Sequence, residues 1–190
     1  MGVVKETNIL LADSVLVDSP ICFMALLYSY IWDWHPNGTG YNTICMGEKI
    51  VVDTNVIVSG LRSSKGASYK LLKTFPKEIF KITISPALIL EYEDVLKRNI
   101  GKGIKQTSSE IVDIIDYICK IGEETKIYYI WRPFLKDASD DMVLELAVAS
   151  SSKYIVTYNL KDFKGCEQFN IKAITPETYL KLIGELKWVR

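Results

Sequence analysis

The sequence KIVVDTNVIVSG, residues 49–60, is the centre around which the rest of the chain is interpreted. Its apolar residues 50–52 are β-branched and have no helical period, which predicts a short buried strand of a parallel sheet. Asp53 follows at the carboxyl end of that strand, where open α/β sheets bind their ligands. A carboxylate in this position is costly unless it is paired, and a divalent cation is a usual partner. Thr54 and Asn55 are short polar residues that can orient it, although an Asp after a strand can also simply open a turn.

Strand and helix patterns alternate along the rest of the chain. Apolar runs predict further strands at residues 79–84, 126–131, 154–157 and 171–174. Apolar residues at helical spacing predict helices at residues 67–75, 86–98, 110–121, from about 139 onward, and from 176 to about 186. This alternation predicts an α/β protein with a mostly parallel sheet.

The composition is that of one globular domain with an appendage. The chain has 190 residues, of which 48% are hydrophobic, and this is enough for one core. The 23 basic and 23 acidic residues balance, so charge alone does not indicate a nucleic-acid binder. Residues 46–190 hold 22 of the basic and 19 of the acidic residues, and their net charge of +3 is a mild preference for anionic partners.

Histidine and cysteine usage excludes several classes of enzyme. The one histidine, His35, precedes the main domain, so a Ser-His-Asp triad, a Cys-His pair or a multi-histidine zinc site is excluded there. The four cysteines have no metal-ligand spacing, which predicts reduced thiols in a cytoplasmic protein. The phosphate-binding patterns GxGxxG and GxxxxGK[ST] do not occur. Catalysis in this domain must therefore use carboxylates.

Residues 1–45 are predicted to be an extension of the main domain, residues 46–190. The run ICFMALLYSYIW, residues 21–32, is apolar, but its 12 residues fall short of the about 20 that span a bilayer. It also lacks the basic start and the cleavage site of a signal peptide. The residues MGEK, 46–49, resemble a natural start. We interpret the extension as dispensable and as a product of an upstream start site; a regulatory or partner-binding arm is the alternative.

A second acid, Glu91, is predicted to lie on the apolar face of a helix. It stands three residues after Leu88 and four before Val95, and this spacing places all three on one side. Such a Glu destabilises the fold unless it meets a metal ion or a base. The alternative is a Glu at the edge of the face that reaches solvent.

Further acids gather at a helix start and after a strand. Asp137, Asp140 and Asp141 surround the start of one helix, where a single acid is expected for capping. Three together repel one another unless a cation screens them. Asn159 and Asp162 follow the strand that ends at residue 157. With Asp53 and Glu91 these acids predict an oxygen-ligand site for Mg²⁺ or Mn²⁺ that serves phosphoester hydrolysis.

Four segments in this order resemble the motifs of the PIN-domain ribonucleases, most closely the toxins of bacterial and archaeal toxin-antitoxin pairs. They are VVDTNVIVSG, SPALILEYEDVLKR, SDDMVLELA and IVTYNLKDF, and the resemblance covers residues 46 to about 186. It implies a three-layer α/β/α fold with a mostly parallel central sheet. It also implies a Mg²⁺-dependent (or Mn²⁺-dependent) endoribonuclease with an RNA substrate, a cognate antitoxin and a homodimeric state, without a role for membranes.

The resemblance also implies the site residues. The catalytic residues would be Asp53, Glu91, Asp140 and Asn159, and the metal ligands would be Asp53, Glu91, Asp140 and Asp162. Asp140 is preferred to Asp141 because it stands seven residues before Ala147, as the motif requires. The family often has an acid where this chain has Asn159, and Asp162 is the substitute we consider for that ligand.

Two other functions are weighed against the nuclease. A PIN-like fold can persist as an RNA- or protein-binding module without cleavage, but the trio of Asp53, Glu91 and Asp140 favours the enzyme. A phosphatase of the haloacid-dehalogenase type requires a second Asp two residues after the first, and position 55 is Asn.

Overall fold

A computed structural model describes residues 47–77, 79–130 and 132–187. The extension predicted at residues 1–45 lies outside these ranges, as does Trp131 at the end of one predicted strand. The described residues contain five strands: β1 (Lys49–Val52), β2 (Lys81–Ile84), β3 (Glu123–Glu124), β4 (Tyr154–Val156) and β5 (Lys172–Ile174). The same ranges contain six α-helices: α1 (Thr54–Arg62), α2 (Ala67–Thr74), α3 (Pro86–Arg98), α4 (Ser108–Ile121), α5 (Ala138–Ala149) and α6 (Pro176–Leu182).

The five strands form one parallel sheet in the order β3-β2-β1-β4-β5. The connections β1 to β2 and β2 to β3 move toward one edge of the sheet. The connection from β3 to β4, which contains α5, crosses back toward the other edge. Because parallel crossovers are right-handed, the helices of the two directions cover opposite faces. Helix α5 accordingly packs on β1, β2 and β4. The predicted three-layer α/β/α architecture is confirmed, and all of the described sheet is parallel.

The centre of the sheet is buried on both faces. Residues Ile50, Val51 and Val52 of β1 have no exposed surface, and Ile155 and Val156 of β4 have none either. Continuous apolar runs of this kind are typical of strands that helices cover on both sides. The chain therefore has to place any polar residue of these strands at their ends.

Local capping signals start the helices close to the predicted positions. The Ser85 side chain accepts a hydrogen bond from the Leu88 amide, and α3 spans the predicted residues. Thr107 and Glu110 form a capping box, so α4 begins two residues before the predicted start. Helix α6 ends at Leu182, earlier than predicted, and Gly184 has a φ of +80° that reverses the chain there. No helix in the described ranges has the length and apolar content needed to cross a membrane.

The strand predicted at residues 126–131 is wrong. Strand β3 lies earlier, at Glu123–Glu124, and the last hydrogen bond to β2 joins the Thr125 amide to the Ile84 carbonyl at 2.9 Å. Residues 125–130 have no regular structure. The physical reason is that β2 ends at Ile84, so the chain beyond Thr125 has no strand beside it, whatever its β-propensity.

Helices α1 and α2 approach each other closely at Gly60. A Cβ atom at this position would lie 2.5 Å from Cδ1 of Leu72 and 3.3 Å from the carbonyl carbon of Ser68. Glycine therefore allows the start of α2 to rest against α1, which brings Ser68 near the end of the sheet that carries Asp53.

Candidate active site

Asp53 and Thr157 stand side by side at the carboxyl ends of the two central strands. The register pairs Val52 with Val156, and the Asp53 amide donates to the Val156 carbonyl at 2.9 Å. The next side chains along each strand therefore meet, and Thr157 Oγ1 donates to Asp53 Oδ2 at 2.5 Å. This pairing places the first predicted acid at the topological switch of the sheet.

Short hydrogen bonds orient the Asp53 carboxylate, which is 6% exposed. Asn55 Nδ2 donates to Asp53 Oδ2 at 2.7 Å and lies 3.1 Å from Thr157 Oγ1. Burial raises the pKa of Asp53 above its usual value, and this effect exceeds the opposing effect of the Thr157 hydrogen bond. The Glu91 charge raises it further. The Asp53 carboxylate is thus held in one orientation where its charge is costly.

Glu91 approaches the same end of the sheet from α3, and we call the space among Asp53, Glu91, Asp140 and Asp162 the acidic crevice. It is half-buried, and its Oε1 accepts a hydrogen bond from Thr54 Oγ1 at 2.7 Å. Thr54 is the first residue of α1 and follows Asp53 directly. The structure thus places Glu91 beside the residue that follows Asp53. The next residue, Tyr92, is fully buried, and its hydroxyl donates to the Val52 carbonyl just below Asp53.

Asp140 enters from the opposite face of the sheet, in the first turn of α5. It is half-buried, and burial is the largest cause that raises its pKa from 3.8 to about 6. Four further carboxylates raise it through their charges: Asp53, Asp137, Asp162 and Glu91. Acids from several separate elements are thus close enough to repel one another across one crevice.

The neighbours of Asp140 have structural roles. Asp137 caps α5 and accepts a hydrogen bond from the Ser139 amide at 3.0 Å. Asp141 is 2% exposed and accepts from the Leu135 amide at 2.8 Å and from the Phe134 amide at 3.2 Å. These bonds engage Asp141 with the segment before the helix, which agrees with the preference for Asp140 as the acid of the crevice.

Asn159 and Asp162 lie on the loop after β4. Asn159 is exposed, and its amide donates to Thr157 Oγ1 at 2.9 Å. Asp162 is half-buried, its amide donates to the Asn159 carbonyl at 3.0 Å, and its charge acts on Asp140. The loop therefore carries both residues to the crevice side, with Asp162 as its acidic member.

The donor set fits a hard divalent cation, because it consists of carboxylate oxygens. A cation would also relieve the repulsion that raises the pKa of Asp140. However, across residues 47–77, 79–130 and 132–187, no three acidic, histidine or cysteine side chains are close enough to constitute a metal-binding group. These carboxylates share a crevice, and their convergence on one ion stays a prediction.

Two residues that hold this arrangement are not indicated by the sequence pattern. Thr157 is predicted as the end of a strand within the segment IVTYNLKDF, but the pattern does not indicate that its hydroxyl connects Asp53, Asn55 and the following loop. The helical spacing around Glu91 likewise does not indicate that the Tyr92 hydroxyl reaches the Val52 carbonyl. The signal in each case is a hydroxyl at a position that the pattern predicts to be buried, because such a group requires a hydrogen-bond partner.

Comparison with known proteins identifies the family. The model of the PIN domain matches residues 49–161, from β1 to the loop after β4. The chain belongs to the PIN-domain family. The matched part of this PIN domain contains Asp53, Glu91 and Asp140, and the predicted family is confirmed. PIN domains are in general nucleases and in general use divalent metal ions.

One solved structure is similar to part of this chain. It is the crystal structure of VapBC2 from Rickettsia felis bound to a DNA fragment from their promoter. The two chains are 16% identical, the match covers 66% of this chain and 96% of that chain, and the TM-score is 0.45. No curated protein sequence matches this chain.

Proposed function

We propose that this PIN domain is a divalent-cation-dependent endoribonuclease and the toxin of a toxin-antitoxin pair. The observation that carries the proposal is that separate elements bring Asp53, Glu91, Asp140 and Asp162 to one end of the sheet, where burial and the neighbouring charges raise the pKa of Asp140. Like charges held close together destabilise a fold, and carboxylates with perturbed pKa values are typical of active sites.

The residues have distinct roles in this proposal. Asp53, Glu91 and Asp140 hold Mg²⁺ or Mn²⁺, and Asp162 completes the ligand set in place of the acid that Asn159 replaces. When bound, the cation supplies an activated water and neutralises charge on the leaving oxygen. Thr157 and Asn55 hold the Asp53 carboxylate in place, and Thr54 does the same for Glu91. The Asn159 side chain, exposed beside them, is suited to contact the phosphate of the substrate.

The products distinguish this chemistry from that of histidine ribonucleases. The one histidine of the chain lies at position 35, before the PIN domain, so the proposal assigns it no role in proton transfer. Attack by water on the RNA phosphodiester leaves 5′-phosphate and 3′-hydroxyl ends. Attack by the 2′-hydroxyl, which histidine enzymes promote, leaves a 2′,3′-cyclic phosphate. We therefore expect 5′-phosphate and 3′-hydroxyl ends.

The proposal extends to partners and to the compartment. We expect an antitoxin that presents an Arg or Lys to the crevice, because a charge-assisted contact would replace the cation. We also expect a homodimer and a cytoplasmic protein. The free thiols of Cys119 and Cys166 support that compartment.

The test is incubation of the purified protein with mixed RNA, with Mg²⁺ and with EDTA. Cleavage is expected in Mg²⁺ alone, and Asp53→Asn and Asp140→Asn should each abolish it. Asp94→Asn is the matched control, because Asp94 is an exposed acid on α3 that pairs with Arg98. Cyclic phosphate products or cleavage in EDTA would overturn the proposal.

A binding module without cleavage is the second candidate. The observation that favours it is Asn159, which stands where the resemblance expects an acid. The same experiment separates the two candidates, because the module would bind RNA or a protein and leave RNA intact in Mg²⁺.

A further inference from the structure

Tyr158 lies at the edge of the acidic crevice. It follows Thr157 directly, and its amide donates to Asn55 Oδ1 at 3.3 Å. The Nδ2 atom of the same Asn55 donates to Asp53 Oδ2 at 2.7 Å. One side chain therefore joins the backbone of Tyr158 to the carboxylate at the centre of the site.

The Tyr158 ring is held at its other end as well. Its hydroxyl is 2.8 Å from Ser68 Oγ, and Ser68 is 1% exposed at the start of α2. Although both ends are fixed, 45% of Tyr158 stays exposed. A ring that is already ordered loses little conformational entropy when a flat ligand stacks on it. The arrangement thus presents a rigid aromatic surface beside the site.

Two further exposed tyrosines follow β3. Tyr128 and Tyr129 are 81% and 82% exposed, and the chain that carries them connects β3 to α5. Since the sheet is parallel, this segment leaves the sheet at the same edge as Asp53 and enters α5 shortly before Asp140. The strand order places β1 between β3 and β4. The strand that precedes Tyr128 and Tyr129 and the strand that precedes Tyr158 therefore lie on opposite sides of β1.

Basic residues accompany all three tyrosines. The segments that carry the tyrosines also carry four exposed lysines: Lys126, Lys136, Lys161 and Lys164. Proteins that bind single-stranded nucleic acid combine such cations, which follow the phosphates, with aromatic rings on which bases stack. The positive charge and the exposed rings on these segments are therefore complementary to single-stranded nucleic acid.

We propose that Tyr158, together with Tyr128 and Tyr129, stacks on unpaired bases on either side of the phosphate to be cut. Stacking of this kind requires unpaired bases, because a duplex hides the faces of its bases. This inference rests on the proposed function for the class of ligand. The three tyrosines are positioning residues and take no part in the chemical step.

The test measures RNA binding by the full-length protein in EDTA, so that cleavage is not required. The probe is a fluorescent, unstructured RNA of about 12 nucleotides, compared with a duplex of the same length. Tyr158→Ala should weaken binding of the single strand by about 5- to 100-fold, and the Tyr128→Ala, Tyr129→Ala double variant should do the same. The Tyr128→Phe, Tyr129→Phe double variant keeps both rings and should bind the single strand as the wild type does.

Two controls separate stacking from folding and from charge. Val112→Ala trims an exposed side chain on α4 and should leave binding unchanged. Lys161→Ala should lower the salt dependence of binding, whereas Tyr158→Ala should weaken binding equally at every salt concentration. Thermal melting of each variant checks that it is folded.

The outcomes separate this inference from the proposed function. Tyrosine-dependent binding of the single strand without cleavage in Mg²⁺ would support the stacking surface and refute the nuclease. RNA cleavage with unchanged binding by the Ala variants would overturn the stacking surface alone. Ala variants that convert a dimer to a monomer in sedimentation while binding RNA normally would also overturn it, because they would assign the tyrosines to self-association. Failure of the wild type to prefer the single strand over the duplex would contradict it as well.

Discussion

At the residue scale, Asp53 and Asp140 have the same side chain in two different environments. The Asp53 carboxylate accepts hydrogen bonds from Thr157 and Asn55. An Asn side chain at position 53 would accept these two hydrogen bonds less well, because it has only one acceptor oxygen. Burial and the charges of other acids dominate the environment of Asp140. Removal of the charge should therefore affect the stability of the folded protein differently at the two positions.

Asp140→Asn should increase the free energy of unfolding of the metal-free protein at pH 8 by about 1 kcal/mol, after allowance for solvent screening. The pKa of Asp140 is about 6 when folded and 3.8 ordinarily, so the folded state binds its proton more readily. Wild-type stability should therefore rise as pH falls from 6 toward 3.8, and the advantage of Asn should shrink. Urea unfolding at pH 8 and pH 5 measures both effects. A less stable variant at pH 8 would contradict this interpretation.

Thr157→Val should destabilise the protein by about 2 kcal/mol, because buried partners lose a hydrogen bond. It should also weaken Mn²⁺ binding, because loss of the Thr157 bond raises the pKa of Asp53 and frees its carboxylate to rotate. Thr83→Val is the matched control: Thr83 is buried in β2, and its hydroxyl lies 3.2 Å from Ser152 Oγ. It should reduce stability in urea and leave Mn²⁺ affinity in calorimetry unchanged. Equal effects of both variants on Mn²⁺ affinity would assign Thr157 a purely structural role.

At the element scale, the position of Asp140 depends on how the start of α5 is fixed. Asp141 accepts hydrogen bonds from two amides of the preceding segment. Glu145 lies in the same helix, and its carboxylate accepts hydrogen bonds from Arg132 Nη2 at 2.9 Å and from Arg132 Nε at 3.1 Å. The Glu145 side chain is 2% exposed and that of Arg132 is 37% exposed. The segment before α5 is thus bound to the helix through one buried and one partly hydrated charge.

This difference in burial predicts that substitution of Arg132 and substitution of Glu145 lower the free energy of unfolding by different amounts. Arg132→Met should destabilise the protein by about 3 kcal/mol, because it leaves the buried Glu145 carboxylate without its guanidinium. Glu145→Gln should cost about 1 kcal/mol, because the Arg132 guanidinium can reach water. Arg98→Met is the control, since its pair with Asp94 is exposed and should contribute less than about 1 kcal/mol. Urea unfolding measures the three variants, and a larger loss for Glu145→Gln than for Arg132→Met would contradict the argument.

At the scale of the whole molecule, the core and the crevice depend on the same sheet. β1 lies in the middle of it, and its neighbours β2 and β4 both pair with it. Asp53 at the end of β1 and Asp162 beyond β4 are far apart in sequence, and both come close enough to act on Asp140 only when this sheet is complete. A change that disturbs the sheet should therefore reduce stability and ligand binding together.

The part of the chain from Met46 to Arg190 should fold and act without residues 1–45. The reason is that β1 has a strand on each side within this part, and its core residues are packed there. Deletion of residues 1–45 should leave the melting temperature in circular dichroism and the RNase activity unchanged. Loss of solubility or activity would indicate instead that the apolar residues 21–32 belong to the core or to an interface.

The sequence by itself determined the class of the fold and the place of its central acid. Residues 50–52 predict a buried strand without reference to any other part of the chain, and Asp53 follows it. Ser85 and Pro86 predict the start of α3 equally locally, and the position of Glu91 on that helix follows from its period. Such features depend on interactions within a few residues, which is why they can be read from one segment at a time.

Only the tertiary structure decided which residues meet. The run KIYYIW has the β-propensity of a strand, but β2 ends at Ile84 and leaves it without a neighbour. Thr157 reaches Asp53 because the register aligns Val52 with Val156, and a register depends on two distant segments at once. The same holds for Asp140, whose pKa depends on charges that other elements bring to it. Proximity across the sheet is a property of the packed chain, because no local pattern specifies which strand ends will be adjacent.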